Sequence, residues 1–155
     1  MTNPQPGQTA PAFTLPGDTG QIALADFAGR KLVLYFYPKD DTPGCTTEGR
    51  DFSAYLAAFA AADTQVVGVS RDSVAAHGKF RAKHGLTVGL GADDDGAVTE
   101  AYGVWVEKSM YGKKYMGIER ATFLIGRDGK VARVWNKVKV PGHAAEVLAA
   151  AQSLG

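Results

Sequence analysis

The chain has a single cysteine, Cys45, among 155 residues. An internal disulfide is therefore impossible, the fold needs no oxidising compartment, and a cytoplasmic address is the default expectation. The C-x-x-C pair that disulfide reductases work with is absent as well, because Thr46, Thr47 and Glu48 follow Cys45. An excess of one charge is also missing: 17 Lys and Arg nearly cancel 16 Asp and Glu, leaving +1. That balance supplies no basic field for nucleic acid or for a membrane surface. The longest apolar stretch, Leu32 to Tyr37, falls far short of the ~20 residues of a membrane span. Met1 to Gly7 has neither a basic start nor an apolar run, so residues 1–6 read as a loose lead-in rather than a secretory signal. His77, His84 and His143 show no metal spacing with each other or with Cys45. Asp93-Asp94-Asp95-Gly96 lacks the other ligands of a calcium loop and reads as a loop with a helix cap. No glycine-rich phosphate loop precedes a helix, so no metal and no cofactor is expected.

What is there suits one globular domain over residues 1–155, 45% apolar and 21% charged. Pro16 to Gly20 carries turn residues and predicts a hairpin. Lys31 to Tyr37 is the near-continuous apolar run of a strand covered on both faces. Pro38 to Gly44 must be a loop. From Cys45 to about Ala62, Phe52, Tyr55, Leu56 and Phe59 recur at helical spacing. Gln65 to Ser70 reads as a strand. Ser73 to His84 reads as a helix capped by Ser73 and stopped by Gly85, with His77, Lys79, Arg81, Lys83 and His84 forming a wet basic face. Asp95 to Tyr102 is a short helix, and Gly103 to Tyr115 reads as irregular, with Trp105 and Tyr111 packed under a loop or else lining the pocket mouth or an interface. Thr122 to Ile125 and Lys130 to Trp135 form a hairpin around Asp128-Gly129, and Gly142 to Ser153 is a closing helix. This order predicts an α/β fold, a central mixed sheet flanked by helices, for which a thioredoxin-like sandwich is the fitting template.

The chemistry concentrates where the buried strand, the proline-bearing loop and the helix meet. A cysteine in a first helical turn faces unpaired backbone N–H groups and the positive end of the helix dipole, both of which favour thiolate. A free cysteine also often serves only to fill space. The polar flanks, Asp40 to Thr42 and Thr46 to Glu48, point away from that second reading, and Gly44 allows a neighbour to approach closely.

Pro38-Lys-Asp-Asp-Thr42-Pro-Gly-Cys45-Thr-Thr-Glu48 resembles the P-x-x-x-T-x-x-C active-site pattern of peroxiredoxins. More narrowly it is similar to the bacterioferritin comigratory protein, or Q-type, group, whose pattern runs FYPKD-x-TPGCT-x-E. The resemblance continues through Gly7 to Leu15, Ala101 to Val104, Gly117 to Gly126 and Val134 to Leu148. It implies a thioredoxin fold and reduction of hydrogen peroxide and organic hydroperoxides. Under it Cys45 is the peroxidatic nucleophile, Thr42 the hydroxyl partner of thiolate and peroxide, Pro38 a shield of the pocket and Arg120 the pocket arginine. Gly117 and Ala121 would let the strand of Arg120 lie close to the site. Apart from the motif, Arg120 reads as a surface residue paired with Glu119 or another carboxylate, and Glu48 either as a supporting part of the site, with Gly44, or as a carboxylate at a helix start.

One departure matters. Q-type members commonly carry a resolving cysteine at positions that here hold Arg50 or Arg81. A Cys45 sulfenic acid therefore needs an external thiol: thioredoxin, glutaredoxin or a low-molecular-weight thiol. Arg50 and Arg81 are either solvated helix positions or a positive field for anionic thiols. The assembly is expected to be a monomer or a homodimer. A redox sensor oxidised once at Cys45, and a binding module with an inert cysteine, are the rival readings.

Overall fold

Residues 2–155 are described in a computed structural model. The chain opens with a small hairpin, β1 (Thr14–Leu15) and β2 (Ile22–Ala23), and one 3-10 turn at Leu24–Phe27. Then follow β3 (Lys31–Phe36), α1 (Pro43–Ala54), α2 (Leu56–Ala61), β4 (Thr64–Ser70), α3 (Val74–His84), β5 (Gly89–Ala92) and α4 (Ala97–Ala101). The last part holds β6 (Trp105–Met110), β7 (Lys113–Ile118), β8 (Ala121–Ile125), β9 (Val131–Trp135) and α5 (His143–Ser153). Five strands form the central sheet in the order β5-β4-β3-β8-β9. β3, β4 and β5 run parallel, with helical crossovers between them, while β8 and β9 join antiparallel.

All six residues of β3 are buried, because both faces of the sheet are covered. Leu32, Leu34 and Phe36 point into one core layer with Phe13, Tyr102 and Phe123. Val33, Tyr35 and Tyr37 point into the other, against Phe52, Phe59, Phe80 and Val147 of the helices. The strand period of two thus feeds both layers. Tyr35 stacks on Phe52 with centroids 4.6 Å apart. It fits only because residue 68 is glycine, where a Cβ would lie 2.5 Å from Tyr35 Cζ. Lys31 is buried too, its Nζ donating to the carbonyls of Ala151 and Leu154 at 2.6 Å, which ties the end of α5 to the sheet.

Three expectations need correction. The single helix from Cys45 to Ala62 is broken at Tyr55, whose side chain is exposed rather than part of an apolar stripe. The stretch Gly103 to Tyr115 is not irregular: β6 and β7 pair over six positions, and Tyr111-Gly112 make the turn with φ of 51° and 79°. Tyr111 is fully exposed at its tip and packs under nothing. Finally, the basic face of α3 is wet only in part, at the exposed Lys79 and Lys83. His77 is buried completely, and Arg81 is held by Asp18 and by the carbonyls of Leu86 and Val88.

Candidate active site

Cys45 is the third residue of α1. Thr42 precedes the helix in an extended conformation, and Pro43 takes the first helical position, where its fixed φ suits the helix and its missing N–H costs nothing. Cys45 therefore sits among the unpaired amides of the first turn. Its side chain is only 2% exposed. Arg120 reaches it through the sheet. Phe36, at the end of β3, pairs with Ala121, at the start of β8, so residue 120 emerges beside the loop that carries Cys45.

The guanidinium makes two contacts there. Arg120 Nη2 lies 3.4 Å from Cys45 Sγ, and Nη1 donates to Glu48 Oε1 at 2.6 Å. Glu48, one turn after Cys45 on the same helix face, is 1% exposed, and its Oε2 has no hydrogen-bond partner. Burial raises its pKa to about 7, even though Arg120 pulls the other way. Burial also works against the charge on Arg120, but Glu48 and Cys45 outweigh it and push the guanidinium pKa up. Arg120 is thus no surface residue, Glu119 is not its partner, and Glu48 is not a helix-start carboxylate. Gly44 makes room: a Cβ at that position would stand 3.1 Å from Arg120 Nη2.

The other expected residues lie around this cluster. The Thr42 hydroxyl donates to the Lys39 carbonyl at 2.7 Å, so its proton is not directed at the sulfur. Pro38 lines a neighbouring cleft with Lys39, Arg71, Trp105 and Lys108. Arg50 is exposed, and Arg81 is committed to Asp18. A Cβ at Gly117 would meet the Lys108 side chain at 3.3 Å, so this glycine makes room for Lys108.

Several contributors were not foreseen. Asp40 is buried, where its loop context had suggested otherwise. Its carboxylate accepts from Tyr37 Oη and pairs with His77 Nδ1, both at 2.6 Å, while His77 Nε2 lies 2.9 Å from the Gly91 carbonyl. Opposite an ionised Asp40 and the Gly91 carbonyl, both ring nitrogens face acceptors, an arrangement that favours the charged imidazolium. Burial alone lowers its pKa, yet Asp40 and the Gly91 carbonyl reverse that to a net rise. Asp41 next door accepts from Lys83 Nζ and pairs with His84 Nε2. Two consecutive aspartates thereby staple the loop before Cys45 onto α3. The signal was present for His77, which precedes the buried Phe80 by three residues on one helix face.

The model of the AhpC/TSA family matches residues 6–134. The chain belongs to the AhpC/TSA family. Peroxiredoxin Bcp of Bacillus subtilis is 51% identical over 143 residues, covering 92% of this chain and 91% of that protein. A putative peroxiredoxin bcp of Coxiella burnetii is 52% identical over 143 residues, covering 92% and 95%. Among solved structures, peroxiredoxin Q of Xanthomonas campestris superposes with a TM-score of 0.86 at 51% identity, covering 91% of this chain and 90% of that one. The chain is a peroxiredoxin of the Bcp, or Q, type with a single cysteine, and a thiol peroxidase that takes a peroxide substrate and a thiol reductant. No helix among the described residues is long and apolar enough to cross a membrane.

Proposed function

We propose that Cys45 is the nucleophile of this peroxiredoxin and that Arg120 is the electrostatic partner of its sulfur. The observation that carries the reading is the 3.4 Å approach of Arg120 Nη2 to Sγ at the start of α1. The thiolate attacks the distal oxygen of a hydroperoxide, the O–O bond breaks, and the sulfur becomes a sulfenic acid. The departing oxygen gains negative charge and takes up a proton to leave as water or an alcohol. A fixed guanidinium favours that charge more in the transition state than in the ground state. Arg120 stays charged at any working pH and presents several donors, so it serves both sulfur and oxygen. Thr42, at the helix entrance, supplies a hydroxyl to the reacting pair after rotating from the Lys39 carbonyl, and Pro38 walls the approach.

Organic hydroperoxides belong to the substrate range in this reading. A 51% identical bacterioferritin comigratory protein of Xanthomonas campestris is described for its alkyl peroxide reduction activity. The whole chain acts as one unit in a reducing compartment such as the cytoplasm, as a monomer or homodimer, without metal or cofactor. With neither Arg50 nor Arg81 able to form a disulfide, an external thiol reduces the sulfenic acid. The test is a single-turnover reaction with one equivalent of peroxide, followed by trapping with a sulfenic-acid reagent and peptide mass mapping. Adduct on Cys45 alone is the expected result; unmodified Cys45 in the folded protein would sink the proposal.

A further inference from the structure

A cleft of about 330 Å³ runs between the Pro38 loop, which leads into the helix of Cys45, and the β6–β7 hairpin, whose Gly117 and Ile118 lead to Arg120. Its chemistry is one-sided. Lys39 and Lys108 line it, and neither has an ion-pair partner among the described residues; the hairpin's own pair, Lys114 with Glu107, belongs to the opposite face of β6. The one carboxylate in the lining, Asp72, is already engaged by the Asp40 backbone N–H and the Ser70 hydroxyl. Arg71 also lines it, held 3.4 Å over the Trp105 ring centroid, bonded to Thr99 and the Gly96 carbonyl, and already paired with Glu100 at 4.0 Å. Trp105 and Tyr115 supply aromatic walls.

Lys108 stands on the side of this cleft nearest the Arg120 segment, its stem over Gly117. It is half-buried, and no side chain at Gly117 blocks it. Burial and the Arg120 charge lower its pKa, while Cys45 and Glu119 pull it back up, so the ammonium feels both ends of the catalytic pair. The field expected of Arg50 and Arg81 is therefore supplied elsewhere: Arg81 is neutralised by Asp18.

We propose that this cleft binds the reducing co-substrate, a small thiol bearing carboxylates, with Lys39 and Lys108 holding its anionic groups while its sulfur reaches Cys45. The inference rests on the Cys45 reading above and names the class of thiol. A sulfur only 2% exposed is more open to a tripeptide-sized molecule than to a cysteine fixed on a folded partner. The thiolate of the first molecule attacks the Cys45 sulfenic sulfur, forming an S–S bond and expelling hydroxide, which leaves as water after protonation. A second molecule attacks the bound one's sulfur, restores the Cys45 thiolate and departs as the symmetrical disulfide. Two thiols are oxidised and one sulfenic acid is reduced.

The experiment starts from Cys45 already oxidised by one equivalent of peroxide and verified by mass. Its reduction is timed with glutathione, with glutathione diethyl ester, with 2-mercaptoethanol and with a thioredoxin, in the native protein and in Lys108→Met. The expected result is a preference for glutathione over its ester of about fivefold or more, the size of one or two charge contacts, shrinking with salt. Lys108→Met should lower the glutathione rate more than the ester and 2-mercaptoethanol rates, narrowing the preference for glutathione over its ester. Equal glutathione and ester rates in the native protein would overturn the inference, as would a thioredoxin rate far above every small thiol and unaffected by Lys108→Met. Failure to form the sulfenic acid at all would count against the Cys45 reading instead, so the two failures are separable.

Discussion

Glu48→Gln probes the most unusual group of the site. The carboxyl is 1% exposed, gives one oxygen to Arg120 and leaves the other without a partner. Burial lifts its pKa to about 7, against about 4.3 in an unfolded chain. A carboxylate with a raised folded pKa stabilises the fold when protonated, below the unfolded value, and that contribution is lost as pH rises through about 7. A gap of some two and a half units corresponds to a loss on the order of 3 kcal/mol between pH 4.5 and 8. Glutamine mimics the protonated acid: its carbonyl can still accept from Arg120, and it carries no charge to desolvate. Glu48→Gln should therefore match the native protein within about 1 kcal/mol near pH 5 and exceed it by roughly 2–3 kcal/mol near pH 8. Urea unfolding of the reduced proteins at several pH values measures this directly. Parallel stability curves for the two proteins, with no divergence above pH 6, would refute the assignment of a buried, costly carboxyl at position 48.

Other expectations follow from the same contacts. Arg120→Met should slow oxidation of Cys45 by peroxide by about 10²–10³-fold, read by stopped-flow fluorescence, because a donor to developing charge is lost. Gly44→Ala should leave stability unchanged or slightly raised, since alanine favours helix, yet slow the same step several-fold by displacing Arg120. His77→Ala should cost about 3–5 kcal/mol in unfolding experiments by leaving Asp40 buried and unpaired. Because the His77 pKa is raised on folding, that contribution should be complete below pH ~6.5 and fade as pH climbs through the higher folded value.

Much of this molecule is legible in its sequence, for reasons visible in particular residues. Lys31 to Tyr37 announces a doubly covered strand because nearly every position is apolar. Ser73 and Gly85 bracket α3 by cap chemistry alone: Ser73 Oγ accepts from Ala76 N–H, and Gly85 takes the left-handed conformation. The β6–β7 hairpin stayed hidden because its strands, with three Lys and largely exposed, show no apolar alternation. At the site, the family resemblance implied Cys45 and Arg120 and took in Glu48, but not the burial of Glu48 or its bond to Arg120 across 72 residues. The same limit hid Asp40 with His77, and Lys108 in the cleft with Pro38 and Lys39. Each depends on which distant element packs there, and no local pattern carries that.

The central claim is that Cys45 alone performs the redox chemistry. Peroxide consumption with a panel of added thiols, native protein against Cys45→Ser, tests it most directly. The account predicts sustained turnover by the native chain with at least one thiol and none above background for the serine variant, with both proteins equally folded. A serine variant that consumes peroxide at the native rate would contradict it.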